Sequence, residues 1–497
     1  MNYYETKIDG NATDSMNIDL NSNINIPLVV DLDGTLTLTD TLHELAIKFF
    51  FKNPILNIFR MIFWLFEGKA RFKYYLSEAS EIKINLIPYN DSFINWLQSE
   101  KDAGRKLILC TGANQKIANA VAENLKIFDN TFASTKDLNL SGNNKSTFLE
   151  KEFGDSGFIY AGNSMDDMNV WKKASKSIVV NGSNRVKSLV KKKIDSFIIF
   201  PSQKTVKINW LKPLRLHQWS KNILIFLPLI AAYQQYSFEN LISLIGAFIC
   251  MGLCASSTYV LNDIIDLESD RLHARKKFRS FASGEIPLNF SLFMLLLLPS
   301  SIYFSYAISV NFMAIILIYV FLTISYSIFI KALVIIDCIV LAALYTIRII
   351  AGAVVINNIP SFWLVAFSIL FFFSLAFLKR YSELLNASNI GEEMIHGRGY
   401  LSSDNPLVLS LGVASGLGSV VVMMLYLNSP EILLLYSFQE ILWLTIPILL
   451  FWISYVWLQA HRGNIDDDPV IFAIKDYVSI FSAIGFFVCI FLGATGF

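Results

Sequence analysis

Nine apolar segments in the second half of the chain limit its fold more than any other feature of the sequence. An α-helix rises about 1.5 Å per residue and the hydrocarbon core of a bilayer is roughly 30 Å thick, so each segment is near the length needed to cross it. They predict an all-α bundle of about nine transmembrane helices. The segments lie near residues 222–237, 241–261, 288–308, 311–330, 332–355, 361–378, 406–427, 433–459 and 476–495.

Positive charges alternate between the connections that join these segments. After Lys221, every Lys and Arg except Arg348 lies at or beside every second connection. Those connections are near residues 262–284, 331, 379–404 and 459–475. Because Lys and Arg concentrate in cytoplasmic loops, we predict a multi-pass protein of the cytoplasmic (inner) membrane. The N-terminal half and the charged loops are then expected in the cytoplasm.

The N-terminal half is much less apolar, and it predicts a separate soluble domain. Residues 1–26 are polar and Asn-rich and lack an apolar signal segment, so we expect a disordered tail there. We expect an α/β domain over 27–184, a basic juxtamembrane linker over 185–221 that is attracted to anionic lipid, and the membrane domain over 222–497. The five Cys residues form no Cys-x-x-Cys pair and indicate neither a disulfide framework nor a zinc site.

A short apolar strand followed by two aspartates marks the predicted site of the α/β domain. The sequence from Pro27 to Asp40, PLVVDLDGTLTLTD, places Asp31 and Asp33 at the carboxyl end of a buried parallel strand. Open α/β sheets bind ligands at that edge. There Asp31 can attack a phosphoryl group as a nucleophile, and Asp33 can protonate the leaving oxygen. A second strand, KLILCT, ends in Thr111, which can hydrogen-bond the phosphoryl group.

DLDGTLT directly after a strand resembles motif one of the haloacid dehalogenase (HAD) phosphohydrolases. The resemblance implies a Rossmann-like fold, a helical cap at about 42–100, and a Lys145 that neutralises the aspartyl-phosphate. The Mg²⁺ ligands that it implies are Asp31, Asp33 and Asp167. The family usually has an acid directly after the glycine of its last motif, where this chain has Asn163. A degenerate, non-catalytic HAD domain is therefore the alternative to an active phosphatase.

The stretch Tyr259–Gly284, YVLNDIIDLESDRLHARKKFRSFASG, combines clustered acids with a basic run. If the preceding helix continues, Asp263, Asp266 and Asp270 lie at positions i, i+3 and i+7 and share one face. Three carboxylates on one face repel each other, and Mg²⁺ with substrate phosphates offsets that repulsion. The basic run that begins with Arg271 can bind the remaining phosphate oxygens. An ordinary loop, basic only because of membrane topology, is the alternative.

The pattern Asn262-Asp263-x-x-Asp266-x-x-x-Asp270 resembles the first acidic motif of the UbiA superfamily of intramembrane prenyltransferases. Its continuation is similar to the branch that makes polyprenyl-phosphate phosphoribose. The resemblance implies catalytic and metal-binding roles for the three aspartates. It implies substrate binding by Asn262, His273, Lys276 and Arg279.

Two segments at the ends of spans resemble the same branch. LRLHQWSKNILIFLPL, at the start of the first span, includes Lys221 and Asn222. LKRYSEL, at the end of the sixth, includes Lys379, Arg380 and Glu383. We predict that these residues bind substrate. A basic pair at the membrane edge is the alternative for the second segment.

Two further sets of charged residues carry open alternatives. DDDPVIFAIKD resembles a signature of the same branch and predicts substrate binding by Asp467, Asp468 and Asp476, but helix capping explains these acids equally well. Lys331 and Arg348 flank Asp337 around the fifth span. Ionisable residues within a span indicate a functional site, so we predict that Lys331 and Arg348 bind substrate. A buried structural ion pair is the alternative.

Together the resemblances imply a Mg²⁺-dependent UbiA-type transferase fused to a HAD-type phosphatase. We predict transfer of 5-phosphoribose from phosphoribosyl diphosphate to a polyprenyl phosphate, followed by removal of the 5-phosphate. One alternative is prenylation of an aromatic acceptor by a polyprenyl diphosphate. Another is a membrane-anchored phosphatase whose spans only bind lipid. The expected partners are a polyprenyl phosphate or diphosphate, phosphoribosyl diphosphate and the bilayer, and we expect no nucleic acid.

Overall fold

The chain forms two compact units. The computed structural model describes residues 23–201, 209–231, 237–273, 275–390, 398–430, 432, 436, 438–465 and 469–495. Most of the predicted tail lies outside these residues, and so do Asp467 and Asp468. One unit is Met1–Trp210 with Asp270–Phe290, and the other is Leu211–Ser269 with Ser291–Phe497. The basic run after Asp270 therefore packs with the N-terminal unit.

The first unit contains a six-stranded sheet in the order β3-β2-β1-β4-β5-β6, and all of its pairings are parallel. The inner strands are buried on both faces, which explains their continuous apolar sequences. β1 is in the middle, so the side chains that follow it lie between the carboxyl ends of β2 and β4. The strands are β1 (Leu28–Val30), β2 (Leu107–Asn114), β3 (Asn130–Ser134), β4 (Ile159–Gly162), β5 (Lys176–Val179) and β6 (Phe197–Ile199).

Helices connect these strands, and three consecutive ones follow β1. The helices are α1 (Thr41–Lys52), α2 (Pro54–Phe66), α3 (Lys69–Ala79), α4 (Asp91–Asp102), α5 (Gln115–Leu125), α6 (Asn143–Phe153), α7 (Met168–Trp171) and α8 (Asn184–Lys193). The Asp40 carboxylate accepts hydrogen bonds from the first turn of α1, and Asn53 does the same for α2 with Pro54 at its first position. The segment expected to form a cap is thus mainly helical.

The second unit is a bundle of apolar helices. In chain order the remaining helices are α9 (Leu227–Ala231), α10 (Phe238–Ile265), α11 (Leu267–Leu272), α12 (Asn289–Leu295), α13 (Leu297–Ile308), α14 (Val310–Ile328), α15 (Ile336–Val355), α16 (Phe362–Ile390), α17 (Asn405–Leu427), α18 (Gln439–Leu442), α19 (Thr445–His461), α20 (Pro469–Lys475) and α21 (Tyr477–Thr495). Within the described residues, eight helical stretches are long and apolar enough to cross a membrane. The predicted two-part architecture, with a multi-pass membrane domain, is confirmed.

The structure differs from the expected nine spans at the first of them. Residues 222–237 do not form one long helix: a 3-10 helix, Leu216–Phe226, is followed by the short α9, and residues 232–236 lie outside the described part. Polar side chains and Pro228 interrupt the apolar run here, and a 3-10 geometry is common in such short connecting pieces. This segment is therefore absent from the eight.

The acidic motif does not lie on one continuous helix, contrary to our expectation. α10 ends at Ile265, Asp266 has φ −89° and ψ 11°, and the short α11 begins at Leu267. Asp263 is in the last turn of α10, whereas Asp270 is in α11. The i, i+3, i+7 argument requires an unbroken helix, so it does not describe how these three carboxylates are placed.

Candidate active sites

A buried hydrogen-bonded network joins the polar residues at the carboxyl edge of the sheet in the first unit. Lys145 Nζ, from α6, donates to Asp31 Oδ1 at 2.7 Å and to the Tyr160 hydroxyl at 3.0 Å. That hydroxyl donates to Asp167 Oδ1 at 2.8 Å. Thr111, at the same edge, is fully buried, and its hydroxyl oxygen accepts from the Ala113 N–H. The structure thus brings Asp31, Lys145 and Asp167 together in one buried network.

The loop after β4 orients Asp167 from the other side. Asp167 Oδ2 accepts from the backbone N–H of Asn163 at 3.1 Å and of Ser164 at 2.9 Å. The Asn163 amide lies against Gly34, and a Cβ at position 34 would overlap it. Gly34 also has φ +75°, which favours glycine. The Asn163 side chain therefore fills space beside the turn that carries Asp31 and Asp33.

Asp33 has the electrostatics of a proton donor. Its Oδ1 accepts from the Thr41 N–H at 2.8 Å. Burial, together with the nearby Asp40 carboxylate, raises the pKa of Asp33 to about 8. Burial also raises the pKa of Asp31, to about 6, although Lys145 opposes that shift. At neutral pH Asp31 is then mainly ionised and Asp33 mainly protonated, as a nucleophile and a general acid require.

These carboxyls also suit a divalent cation. Burial is the largest cause of both raised pKa values, so the ionised form of each carboxyl lacks hydration that a bound cation would replace. Mg²⁺ takes one or two carboxylates together with substrate phosphate, and the ionised Asp31 fits that donor set. Asp167 is more constrained because Tyr160 and the loop already bond to both of its oxygens. Among the described residues, no group of three or more His, Cys, Asp or Glu is arranged to hold a metal.

Lys73 is a site residue that sequence reasoning missed. It comes from α3, and its Nζ donates to the Gly112 carbonyl at 2.5 Å and to Asn139 Oδ1 at 2.8 Å. Burial lowers its pKa, while Asp33 and Asp40 act in the opposite direction. Nothing in the sequence distinguishes it from the other lysines of the helical segment. Tyr160 was missed for a similar reason, because it lies inside an apolar strand.

In the second unit, a cavity of about 260 Å³ is lined by basic and aromatic side chains. The basic residues are Arg215, Lys221, Arg348, Lys379 and Arg398. The tyrosines are Tyr259, Tyr319, Tyr326 and Tyr345. No Asp or Glu lines it among the described residues, and Asn262 is the member of the acidic motif that does. The cavity therefore favours anions.

Tyrosine rings hold several of these cations in place. The Arg215 guanidinium lies 5.3 Å from the centre of the Tyr259 ring. The Arg348 guanidinium lies 5.1 Å from the Tyr319 ring and 5.5 Å from the Tyr345 ring. Such contacts fix a guanidinium and attract its charge to the ring face. We did not predict from the sequence that these tyrosines belong to the site. A polar hydroxyl inside an apolar span could have indicated them.

Arg348 is the most firmly held of the cations in the cavity. Its Nε donates to Asn222 Oδ1 at 3.0 Å, and Nη2 donates to the Tyr319 hydroxyl at 3.0 Å. A third bond goes to the Leu344 carbonyl. Asn222 is itself buried, and its Nδ2 has no hydrogen-bond partner within the described part of the chain. Arg348 and Asn222 were both predicted as substrate-binding, and the structure brings them together.

Arg380 and Glu383, also predicted to bind substrate, belong to a buried ion-pair network. Arg380 Nε lies 2.5 Å from Asp337 Oδ2, and its Nη1 lies 2.6 Å from Glu383 Oε2. Arg398 Nε lies 3.2 Å from the same Glu383 atom. Arg380 Nη2 also donates to the hydroxyl of Tyr326, which lines the cavity together with Arg398. Arg380 is fully buried, so it positions cavity residues rather than lining the cavity itself.

Each aspartate of the acidic motif is paired with its own cation. Asp263 bonds to Arg215, which lines the cavity. Asp266 Oδ1 lies 2.5 Å from Lys331 Nζ. Within the first unit, Asp270 Oδ2 lies 2.6 Å from Arg279 Nη1. Asp263 and Asp266 have the oxygen donors that suit Mg²⁺, but a metal there would compete with Arg215 and Lys331.

Three other predicted residues bond to other groups of the protein. Asp476 Oδ2 accepts from the Ser479 N–H and hydroxyl at the start of α21, as the capping alternative requires. His273 Nδ1 accepts from the backbone N–H of Arg275 and Lys276. Arg271 forms two bonds, of 2.9 and 2.6 Å, to the Glu44 carboxylate of α1 within the first unit.

Comparison with known proteins bears on both units. A family model described as the UbiA prenyltransferase family matches residues 223–480. The uncharacterized protein y4nM of Sinorhizobium fredii is 36% identical over 459 residues, which cover 92% of this chain and 89% of that protein. The decaprenyl-phosphate phosphoribosyltransferase of Mycolicibacterium smegmatis is 28% identical over 279 residues, which cover 54% of this chain and 86% of the relative.

Solved structures are similar to each unit in turn. A UbiA homolog from Archaeoglobus fulgidus, bound to GPP and Mg²⁺, aligns with 56% of this chain and 99% of its own, at 15% identity and a TM-score of 0.43. A substrate-bound phosphoserine phosphatase aligns with 36% of this chain and 94% of its own, at 18% identity and a TM-score of 0.27.

Proposed function

Because this chain belongs to the UbiA prenyltransferase family, we propose that its membrane unit transfers 5-phosphoribose from phosphoribosyl diphosphate to a polyprenyl phosphate. The observation that carries the proposal is the cavity lined by five basic side chains. The similarity to a decaprenyl-phosphate phosphoribosyltransferase supports the same substrates.

The charge of the cavity matches these two reactants better than it matches a polyprenyl diphosphate and an aromatic acceptor. Phosphoribosyl diphosphate carries a diphosphate and a 5-phosphate, and the acceptor brings a further phosphate. Arginine binds phosphate oxygens in pairs, and lysine neutralises them as a point charge. Five cations around about 260 Å³ suit several phosphates held close together.

Chemistry at the ribose is a substitution at C1. The bond from C1 to the diphosphate oxygen breaks, positive charge develops at C1, and a phosphate oxygen of the acceptor forms the new bond. Arg215 and Arg348, already fixed on tyrosine rings, stabilise the negative charge that grows on the departing diphosphate. When bound through Asp263 or Asp266 and the substrate, Mg²⁺ would add to that stabilisation.

Prenylation of an aromatic acceptor is the second candidate, because tyrosine rings can stabilise an allylic cation. Three of the four tyrosines, however, already have a protein cation on a ring face: Tyr259, Tyr319 and Tyr345. A prenyl donor also brings only one diphosphate to five basic residues. The phosphate-rich substrates are therefore favoured.

We propose that the first unit is a phosphatase that removes the 5-phosphate from the lipid product. Asp31 attacks the phosphorus, and the protonated Asp33 donates to the leaving ribose oxygen. Lys145 holds the Asp31 carboxylate and neutralises the phosphoaspartate. Asp33 then takes a proton from the water that hydrolyses this intermediate. Asp31 and the substrate phosphate would hold Mg²⁺, which supplies further charge neutralisation.

The test is incubation of membranes that contain the chain with labelled phosphoribosyl diphosphate and a polyprenyl phosphate. Label should enter the lipid phase, and chelation of Mg²⁺ should prevent it. A parallel reaction tests the second candidate with a polyprenyl diphosphate and a labelled aromatic acid. If label enters the lipid phase only in the parallel reaction, the membrane unit is a prenyltransferase and our proposal is wrong. No labelling in either, with phosphatase activity intact, would favour a membrane-anchored phosphatase.

We further propose that the charged connections and the first unit face the cytoplasm, as the distribution of Lys and Arg predicts. This orientation requires the chain between the first unit and α10 to cross the bilayer in addition to the eight spans. Single cysteines at Ser283 and Ser429 test this orientation in intact cells. A membrane-impermeant reagent should label position 429 and not position 283. Labelling of both positions would contradict the orientation.

A further inference from the structure

Helix α2 of the first unit exposes apolar side chains and buries a polar one, the opposite of a helix on the surface of a soluble protein. It has thirteen residues, of which eight are large apolar side chains that are exposed. Phe59 is 67% exposed, Phe63 63% and Phe66 87%. An ordinary surface helix turns its apolar face inwards and its polar face to solvent.

The buried face of α2 shows how this orientation is maintained. Asn57, the buried residue of the helix, is 3% exposed, and its Nδ2 donates to the Phe49 carbonyl of α1 at 2.6 Å. Met61 and Trp64 lie on the same side and are half-buried. The Trp64 ring packs 5.0 Å from Phe49 and 5.3 Å from Tyr75 of α3. A polar anchor inside and phenylalanines outside are stable only where the outer surroundings are apolar.

We propose that α2 inserts its outer face into the interfacial region of the bilayer and so presents the Asp31 site to phosphate groups on membrane lipids. The eight spans tether the first unit to a bilayer, which is therefore always available as the partner. Over residues 41–79, six Lys and Arg face three Asp and Glu, a net charge that is complementary to anionic headgroups. Apolar insertion with basic flanks is how interfacial helices bind membranes.

The packing connects this helix to the catalytic edge. α2 contacts α3 through Trp64 and Tyr75, and α3 carries Lys73 to the Gly112 carbonyl. α3 therefore links the proposed membrane helix to a lysine at the edge of the sheet that carries Asp31. This part of the inference rests on the proposed phosphatase function, whereas insertion of α2 does not.

The first experiment tests insertion alone. The full chain is reconstituted into vesicles of phosphatidylethanolamine and phosphatidylglycerol with p-benzoylphenylalanine at position 59, 63 or 138. Leu138 is a matched control because it is apolar, lies in the same unit and is 45% exposed. Illumination should attach phospholipid at positions 59 and 63 and not at 138. Absence of lipid adducts at 59 and 63, or cross-links there to a second copy of the chain, would overturn the proposal.

The second experiment compares a lipid-linked ribose 5-phosphate with free ribose 5-phosphate. The double variant Phe59→Asp/Phe63→Asp should hydrolyse farnesylphosphoryl-ribose 5-phosphate in vesicles at least tenfold more slowly than wild type, and Leu138→Asp should not. Hydrolysis of free ribose 5-phosphate should stay within twofold for both variants. Equal rates on the lipid substrate would refute presentation by α2. If wild type hydrolyses neither phosphate, the phosphatase function fails, and the cross-linking result still decides insertion.

Discussion

The two candidate sites differ in the charge of the side chains that form them. At the sheet edge of the first unit, acids predominate, and burial raises the pKa of both Asp31 and Asp33. In the cavity of the second unit, five basic residues line the wall and the nearby acids bond to cations. In the phosphatase that we propose, the first arrangement supplies a nucleophile and an acid, and it needs positive charge from outside. The second has its positive charge already fixed, which suits the departure of a diphosphate.

The largest effect that separates the two sites is expected from Asp31→Asn. The amide keeps the shape of the side chain but cannot attack phosphorus, so phosphate release from the lipid product should fall by a factor on the order of 10³ or more. Transfer should continue, and the phosphorylated lipid should accumulate, as measured by chromatography of labelled lipids. Asp155→Asn, at an exposed acid of the same unit, is the control. Loss of transfer in Asp31→Asn would mean that the sites are not separable.

Arg348→Lys tests the cavity in the opposite way. Lysine keeps the charge but cannot reproduce the bonds to both Asn222 and Tyr319, so transfer should fall roughly 100-fold, as when a fixed donor to a developing anion is lost. Hydrolysis of free ribose 5-phosphate by the first unit should not change. Arg462→Lys, at an exposed residue beyond α19, should leave both activities intact. Transfer at the wild-type rate in Arg348→Lys would remove this residue from the site.

Glu44→Gln tests whether the ion pair between Glu44 and Arg271 keeps the segment Asp270–Phe290 packed with the first unit. Glu44 and Arg271 are both buried, and breaking such a pair costs roughly 3 kcal/mol or more because a buried charge is left alone. We expect the first unit to unfold at a lower temperature and proteolysis near residue 271 to be faster. Transfer should also be slower. Glu67→Gln breaks a more exposed pair with Arg71 and should cost less than about 1 kcal/mol. Equal stability of the two variants would show that the Glu44 pair does not hold this run.

The smallest effect is expected from Lys73→Met. Loss of one charged hydrogen-bond donor is worth about 1.5 kcal/mol, so KM for the phosphatase substrate should rise roughly tenfold while kcat changes little. The matched control is Lys69→Met on the same helix, at an exposed position. A fall in kcat with unchanged KM would instead assign Lys73 to the chemical step.

Sequence reasoning succeeded where the position of a residue depends on local order along the chain. Asp31 and Asp33 follow a strand, so their place at the sheet edge could be read from the apolar run before them. Hydropathy likewise located the spans, apart from the first, where the apolar run is interrupted by the 3-10 helix at Leu216–Phe226. The acidic motif was recognised, but its assumed single helix face was wrong because α10 ends before Asp266.

The sequence by itself determined the division into an α/β domain and a membrane domain. Segments buried in a sheet or a bilayer are continuous runs of apolar residues, and such runs are visible in the sequence. Only the tertiary structure decided which charges meet. Arg215 reaches Asp263 across 48 residues, Lys331 reaches Asp266 across 65, and Arg271 reaches Glu44 across 227. Such pairs leave no periodicity in the sequence, since each partner is an ordinary charged residue until the fold buries it beside the other. The tyrosines that hold the cavity's arginines were decided in the same way.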